Sequence, residues 1–143
     1  MSLKTTYDDD NIFAKILRGE MPKVAVYEDD HTLAFMDVFP QAEGHTLVIS
    51  KTAKSTNLLD MPADAMAHVM QTAQKVAGAI VEALAPDGFR IVQFNGAPAG
   101  QTVYHTHVHI IPVWEDRSLR PHGSEMAPPD ELAATAEKIK YVL

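Results

Sequence analysis

Cysteine is absent from the 143 residues of the sequence. Its absence excludes disulfide bonds, zinc knuckles, iron–sulfur clusters and thiol nucleophiles. The sequence also has no run of about 18 consecutive apolar residues, and the opening stretch MSLKTTYDDDN contains no apolar segment that could act as a signal peptide. We therefore expect a cytoplasmic protein with no membrane partner.

Basic residues are in the minority, with 12 Lys and Arg against 19 Asp and Glu and a formal net charge of −7. A protein that holds DNA or RNA by the phosphate backbone needs the opposite balance, so no nucleic-acid partner is expected. A small phosphorylated ligand is compatible with this charge, because one local group of donors can bind it. The length and the 46% share of hydrophobic residues predict a single domain over residues 1–143.

Apolar periodicity and turn residues predict an α+β domain on one antiparallel sheet of about five strands, with one long helix and one or two short ones. Short helices are predicted over residues 11–18 and 130–141, the second capped by Asp130, and a long helix over 60–84. Strands are predicted over residues 24–28, 32–38, 45–50, 89–94 and 103–113. The first two strands form a hairpin in this interpretation.

The stretch HTHVHIIP, residues 105–112, holds three of the seven histidines at alternate positions. Side chains alternate faces along a strand, so His105, His107 and His109 are expected to share one face, with the residues between them on the other. Three interpretations are open from the pattern alone: a metal site, a nucleophile with two supporting groups, and a polar strand face without chemistry.

A metal site is the least easily satisfied of the chemical interpretations. At about 3.3 Å per residue, the outer two histidines start roughly 13 Å apart, whereas zinc holds each nitrogen at about 2.0 to 2.1 Å. All three on one ion would be stretched. Two of them with His45 as a distant ligand would still need a carboxylate or thiolate, and none is visible nearby in the sequence.

Nucleophilic catalysis suits a neutral imidazole, which is available near pH 7 because its unperturbed pKa is about 6.5. The middle histidine, His107, is the expected nucleophile. The preceding loop, NGAPAGQT, contains Gly96 and Gly100, whose amides can approach a ligand closely, and the side-chain donors Gln101 and Thr102. This set of donors suits a phosphate. Two glycines between strands are also commonly no more than a turn.

Several separate motifs now match one family in order and spacing. The stretches NIFAKILRGEMP, VYEDDHTLAFMDVFPQAEGHTLVISK and AGQTVYHTHVHIIP, together with the long helix, resemble the histidine triad (HIT) nucleotide-binding proteins. The family signature is His-φ-His-φ-His-φ-φ with φ apolar, and Thr106 is its one imperfect position here. The resemblance covers residues 11–114 and leaves residues 115–143 as a C-terminal tail with a short helix.

The resemblance implies a HIT-like fold and a hydrolase that acts on purine nucleotide conjugates such as nucleoside phosphoramidates. His107 matches the nucleophile, which attacks the α-phosphorus and forms a nucleotidyl-histidine intermediate that water hydrolyses to a nucleoside monophosphate. His105 and His109 match the flanking triad positions, where His109 would donate to the phosphate or assist the leaving group.

The nucleotide contacts follow from the same resemblance. Gly100, Gln101 and Thr102 match phosphate-binding positions, and Asp37 matches the carboxylate that accepts hydrogen bonds from the ribose hydroxyls. Six apolar residues match positions that line the base pocket: Ile12, Phe13, Ile16, Phe35, Val38 and Leu47. For any one of these six, plain core packing is the alternative interpretation.

The remaining four histidines divide into two groups. His45 lies in a strand of core residues, and the resemblance implies a position near the triad. We therefore expect His45 to support His105 without contacting the substrate itself. His31, His68 and His122 have no such company, and we expect them on the surface.

The sequence departs from the family at a known metal position. Many bacterial relatives begin CIFCKI and use these cysteines with two histidines to hold zinc, but here Asn11 and Ala14 stand in their places. We therefore expect no metal and no cofactor. The resemblance also implies a homodimer, with the long helix as a plausible part of the interface.

Three other functions stay open at this point. The first is a dinucleoside polyphosphate hydrolase of the same family, and the second is a nucleotide-binding regulatory module without catalysis. The third is a metallohydrolase that uses His105 and His107 as ligands. The presence of all three histidines with Gln101 and Thr102 favours the catalytic interpretation over the regulatory one.

Overall fold

Five strands and three α-helices follow one another in the described part of the chain. The structure is a computed structural model that describes residues 3–121 and 125–143, so His122 lies outside the described residues. The elements are α1 (Ile12–Leu17), β1 (Ala25–Glu28), β2 (Thr32–Met36), β3 (Thr46–Ser50), α2 (Ala63–Leu84), β4 (Gly88–Val92), β5 (His107–Val113) and α3 (Pro129–Tyr141). Short 3-10 turns cover Leu58–Asp60 and Ala97–Ala99.

The strands form one antiparallel sheet in the order β1-β2-β3-β5-β4. The predicted α+β class and the predicted hairpin of β1 and β2 are therefore confirmed. Asp29 forms the hairpin turn, because its Oδ1 accepts hydrogen bonds from the backbone amides of His31 and Thr32 at 2.8 and 2.7 Å. Long-range pairing then brings β5 between β3 and β4, which makes it a central strand.

Strands β2, β3 and β5 are buried on both faces, by different partners. On one face, Ala34, Val48, Val108 and Ile110 pack against α2 and α3 in a cluster that includes Val76. Burying one such aliphatic side chain stabilises the fold by about 1.5 to 3 kcal/mol. The opposite face carries a smaller cluster of six buried residues around α1: Phe13, Ile16, Leu33, Phe35, Leu47 and Ile49.

The helix ends have local causes. Asn11 caps α1, since its Oδ1 accepts from the amides of Phe13 and Ala14 at 3.0 and 2.9 Å. The long helix begins at Ala63, after a separate turn, and not at residue 60 as predicted. Pro62 fits this start because it needs no amide partner there. The predicted cap of α3 is wrong: Pro128 is the N-cap without a side-chain bond, and Asp130 lies in the first turn.

The strands are shorter than predicted at their ends. β2 ends at Met36, and Val38 beyond it is 41% exposed. The fifth strand begins at His107 and not at residue 103, because residues 103–105 form a bend. In the described part of the chain, no helix is both long and apolar enough to span a membrane.

Candidate active site

Two of the three triad histidines lie on β5, side by side on the face that α1 covers. In the register with β3, His107 is opposite Ile49 and His109 is opposite Leu47. Side chains of directly opposite residues lie on the same face, so both imidazoles border the small cluster around Phe13. The third, His105, lies in the bend before the strand, which corrects the prediction that one strand holds all three.

His107 is held by the backbone of its neighbour. Its Nδ1 lies 2.6 Å from the carbonyl oxygen of His105. A carbonyl can only accept, so the neutral His107 ring carries its proton on Nδ1 and has an unprotonated Nε2. The ring of Phe13 meets it edge-on, with centroids 4.9 Å apart and an interplanar angle of 89°. The contact restricts rotation of the imidazole.

His109 has the opposite arrangement of its proton. The amide of Gln41 donates to Nδ1 of His45 at 3.0 Å, so a neutral His45 carries its proton on Nε2. That Nε2 lies 2.9 Å from Nδ1 of His109, which accepts, so the proton of a neutral His109 is on its own Nε2. We expected His45 to support His105, but its hydrogen bond is with His109. The sequence does not give the register between β3 and β5, which pairs Leu47 with His109 and so brings His45 near that ring.

Asp37 lies beside the same pair of histidines. Its Oδ1 accepts from the amide of Phe39 at 2.8 Å, and its Oδ2 is 3.4 Å from Nε2 of His45. A carboxylate at this distance also favours a proton on that nitrogen. The side chain is 11% exposed, at the margin of the site.

Asp37, His45 and His109 are also the residues to test as metal ligands. Within the residues described, their donor atoms all lie within 4.8 Å of one another. Two nitrogens on one tetrahedral zinc would be about 3.3 Å apart, whereas the two imidazole nitrogens are 2.9 Å apart and fit a hydrogen bond. His105 is no better as a ligand, because the hydroxyl of Tyr7 occupies its Nδ1 at 2.7 Å.

His105 is buried and strongly prefers its neutral form. Burial and the neighbouring charge of His107 lower the pKa of His105 from 6.5 to about 4, and a hydrogen bond to the backbone of Ser50 opposes this shift. A bond that raises the pKa is one that an N–H of the ring donates. The hydroxyl of Tyr7 can donate to Nδ1 when the proton of the neutral His105 ring is on Nε2.

Thr106, the imperfect position of the signature, has a clear structural role. It is 3% exposed, and its hydroxyl lies 2.6 Å from that of Ser55. Its amide also donates to the carbonyl of Ser55 at 2.9 Å. A buried hydroxyl needs a partner of this kind, so the threonine replaces an apolar contact with a bond between the bend and residue 55.

The segment from Ser55 to Asp60 braces the loop that precedes the triad. The carboxylate of Asp60 accepts from the amides of Thr56 and Asn57 at 3.0 to 3.1 Å, and from the hydroxyl of Ser55 at 3.0 Å. Burial acts against these bonds, but together they lower the pKa of Asp60. The amide of Leu58 donates in turn to the Asn95 side chain at 2.8 Å.

Gln101 is part of the same brace. Its Nε2 donates to the carbonyls of Thr56 and Val103 at 2.6 and 3.1 Å, and its Oε1 accepts from the amide of Gly96 at 2.8 Å. The amide group therefore has three backbone partners and must release one before it can contact a phosphate. Thr102, the next residue, is exposed.

Gly100 closes the loop in a conformation that favours glycine. Its φ is +111°, and a Cβ there would lie 3.2 Å from the ring of Phe94. That ring in turn meets the imidazole of His109 edge-on, with centroids 5.3 Å apart. The close approach of loop and ring brings the backbone of residues 100–102 to the same side as the triad.

The six residues predicted for the base pocket differ in how far they are buried. Four of them, Phe13, Ile16, Phe35 and Leu47, belong to the buried cluster around α1. Ile12 and Val38 are 43% and 41% exposed. Core packing is therefore the main role of the four, and the exposed pair can contact a ligand.

His31 and His68, predicted on the surface, form a stacked pair there. Their rings are 3.8 Å apart at an interplanar angle of 7°. His31 is exposed and His68 is half-buried.

Several residues with a role at the site escaped the sequence analysis. Tyr7 contacts His105 across 98 residues of chain, and Ser55 contacts Thr106 across 51. Gln41 acts through its backbone amide, which any residue except proline provides. No sequence pattern marks such contacts.

Three comparisons connect this site with known proteins. The family model of the HIT domain matches residues 18–116. The chain is 38% identical over 128 residues to the adenylylsulfatase HINT3 of Arabidopsis thaliana. The alignment covers 85% of this chain and 64% of the plant protein, so this chain spans slightly less than two thirds of that relative's length.

Solved structures agree with the family match. A HIT-like protein from Bartonella henselae is 47% identical, with a TM-score of 0.89 and coverage of 96% of this chain and 100% of that one. A zinc-bound histidine triad family protein from Mycobacterium smegmatis is 32% identical, with a TM-score of 0.81 and coverage of 93% and 92%. These proteins share both the fold and a substantial part of the sequence with this chain.

Proposed function

This chain belongs to the HIT domain family, and on that premise we propose that it is a hydrolase that cleaves purine nucleotide conjugates at the α-phosphate. The observation that carries the proposal is the 2.6 Å contact between Nδ1 of His107 and the carbonyl oxygen of His105. It leaves the lone pair of His107 on Nε2, the nitrogen that faces away from its own backbone, as a nucleophile requires.

The reaction has two steps. In the first, Nε2 of His107 attacks the α-phosphorus, an N–P bond forms, and the bond from phosphorus to the leaving group breaks. The ring then carries a positive charge, which the carbonyl of His105 stabilises through Nδ1–H. In the second, water attacks phosphorus and loses a proton to solvent, the N–P bond breaks, and the nucleoside monophosphate leaves His107 neutral again.

His109 serves as the donor in this scheme. Its Nε2–H, set by the bond from His45, donates a hydrogen bond to a phosphate oxygen or to the leaving atom, and the leaving group takes its proton from solvent, because a neutral imidazole that gave up this proton would become an anion. The two adjacent imidazoles therefore present opposite functions to the substrate, a lone pair on His107 and a proton on His109. Groups held in place before the reaction can stabilise the developing charge without reorganisation.

The remaining nucleotide contacts are assigned by the family resemblance. Asp37 is proposed to accept from the ribose hydroxyls, since its exposed edge is at the margin of the site. Thr102 and the loop amides around Gly100 would contact the phosphate, with Gln101 holding the loop. Ile12 and Val38, the exposed members of the apolar set, are the best candidates for contact with the base.

The leaving group is proposed to be small. The name of the plant relative, an adenylylsulfatase, supports adenosine 5′-monophosphate conjugates as the substrate class. Phosphoramidates and adenylylsulfate share the α-phosphate with dinucleoside polyphosphates, which are the alternative class. Assay of one conjugate of each kind distinguishes the two.

We also propose that the protein forms a homodimer through β4 and α2. β4 is an edge strand of the sheet, and an edge strand presents backbone groups that a second copy can pair. Phe89 and Ile91 on β4 are 46% and 41% exposed, and Met70 and Val81 on α2 continue the apolar surface at 40% and 42%. Such a contiguous apolar surface is typical of an interface.

The central experiment is to trap the intermediate. After a brief reaction with adenosine 5′-phosphoramidate, the quenched protein is expected to carry one adenylyl group on the peptide that contains His107. His107→Ala should abolish both the label and turnover, and His68→Ala, which removes a distant imidazole, should change neither. Turnover by His107→Ala at the parental rate would refute the mechanism.

A chelator provides the matching test for a metallohydrolase. Since the proposed steps use imidazole and water only, kcat/KM for the phosphoramidate is expected to be unchanged after dialysis against EDTA. Loss of activity that returns with a divalent cation would favour the metal-dependent alternative.

A further inference from the structure

The N-terminal segment before α1, which we define as residues 3–10, lies against the triad although it precedes both the matched family region and the signature stretch. The hydroxyl of Tyr7 is 2.7 Å from Nδ1 of His105, and the ring centroids are 5.7 Å apart. Tyr7 is half-buried, whereas most of the segment around it is exposed. A half-buried aromatic residue in an exposed segment indicates a specific docking contact.

Several contacts fix the segment on both sides of Tyr7. The side chain of Asn57 donates to the carbonyl of Leu3 at 2.6 Å. Asp9 lies 2.9 Å from the ammonium group of Lys54, and its carbonyl accepts from Arg18 at 2.7 Å. The segment is thereby tied to residues 54–57, the same stretch that holds Thr106 and Gln101.

The position of His105 depends on side-chain contacts more than the positions of His107 and His109 do. Unlike His107 and His109, it lies in the bend before β5, outside the ladder that pairs β5 with β3. The hydroxyl of Tyr7 lies at Nδ1 of His105, and the backbone of Ser50 also forms a hydrogen bond with this side chain. Its carbonyl is the acceptor for Nδ1 of His107, so any movement of His105 changes the orientation of the nucleophile.

We propose that Tyr7 is a positioning residue of the triad: its hydroxyl holds His105 as the Nε2–H tautomer and thereby fixes the carbonyl that orients His107. The kinetic part of this proposal rests on the proposed hydrolase function, but the effect on His105 does not. Donation from Tyr7 to Nδ1 also opposes protonation of His105, in the same direction as its burial.

Tyr7→Phe tests the proposal by removing one oxygen and leaving the ring. Its matched control is Tyr27→Phe, which removes a tyrosine hydroxyl that donates to Asp29 at 3.1 Å, in the β1–β2 hairpin. We expect Tyr7→Phe to lower kcat/KM for adenosine 5′-phosphoramidate about fivefold to tenfold, the effect of one lost hydrogen bond. The control should keep the parental value, and both variants should melt within a few degrees of the parent.

Nitrogen-15 NMR of the imidazole rings gives a readout that needs no substrate. In the parent, the His105 signals should be those of a single Nε2–H tautomer. In Tyr7→Phe, they should move toward a mixture of tautomers, and the titration of His105 should move to higher pH. Tyr27→Phe should leave both unchanged.

The outcomes separate this proposal from the proposed function. If the parent turns over no conjugate, the hydrolase function fails, and the NMR comparison alone decides the role of Tyr7. Unchanged His105 signals in Tyr7→Phe overturn the proposal whatever the rate, because the effect must pass through that ring. An active parent whose Tyr7→Phe and Tyr27→Phe variants lose activity equally also overturns it.

Discussion

Nε2 of His45 lies 2.9 Å from Nδ1 of His109, and the amide of Gln41 holds the other nitrogen of His45 at 3.0 Å. A backbone N–H can only donate, so these hydrogen bonds run in one direction. The amide of Gln41 donates to His45, His45 donates to His109, and His109 donates from Nε2 to a substrate. The backbone amide of Gln41 therefore determines, through His45, which nitrogen of His109 carries the proton.

Replacement of His45 tests this direction. Glutamine can present an N–H near the position of Nε2, whereas leucine fills a similar volume without a donor. We expect His45→Leu to lower kcat about 10²-fold, the lower end of the range for loss of one hydrogen-bond donor to developing negative charge, and His45→Gln to retain most of the parental kcat. Steady-state kinetics and thermal melts of both variants provide the measurement. Equal losses in the two would show that packing, and not the donor, is what His45 contributes.

The Thr106–Ser55 hydroxyl pair predicts a loss of both stability and activity. Thr106→Val leaves a buried hydroxyl of Ser55 with one partner fewer, and we expect a cost of about 1 to 2 kcal/mol in the free energy of unfolding. Thr72→Val is the matched control, because the hydroxyls of Thr72 and Thr32 also lie 2.6 Å apart in a buried pair on α2 and β2. Urea denaturation should show similar costs, and kcat/KM should fall only for Thr106→Val.

A double-mutant cycle with Ser55→Ala isolates the bond itself. The coupling free energy between positions 55 and 106 is expected to be about 1 kcal/mol, within the range for residues in one hydrogen-bonded network. Additive effects of the two substitutions would mean that the hydroxyl pair contributes nothing.

Acid destabilisation is expected from His105. Its folded pKa of about 4 lies below the ordinary value of 6.5, so between these two values the unfolded chain binds the proton and the folded protein does not. The free energy of unfolding should therefore fall as pH decreases from about 6.5 to 4, by about 3 kcal/mol at most for this group. His105→Gln removes the titration. Urea denaturation of parent and variant across this range should give a flatter profile for the variant, and parallel profiles would contradict the assignment.

If the protein dimerises through β4 and α2, a charged side chain introduced on that surface should dissociate the dimer. Ile91→Glu adds a carboxylate to the apolar surface of β4, which would have to be buried without a partner. We expect this variant to sediment as a monomer at concentrations where the parent sediments as a dimer. Leu59→Glu is the control, since Leu59 is 70% exposed in the Leu58–Asp60 turn and should not affect assembly. Identical sedimentation of parent and Ile91→Glu would exclude this interface.

Local pattern was enough for most of the fold. The 22-residue α2 and the strands β2, β3 and β5 were predicted because apolar residues repeat with the period of the element, which is a property of neighbouring residues. The errors in the predicted secondary structure were at the ends of helices and strands, where a bend, a separate turn or a proline sets the boundary. Alternation along the strand likewise predicted that His107 and His109 share one face, because both are in the regular strand β5.

The sequence by itself determined which imidazoles are present and which two share the face of β5, since alternation along a strand is a local rule. Only the tertiary structure decided what each ring can do. The proton of His107 is set by a carbonyl in the bend, that of His109 by an amide 68 residues earlier through His45, and that of His105 by Tyr7, 98 residues away. A tautomer depends on the partners that folding brings to each nitrogen, and those partners are set by packing between distant segments.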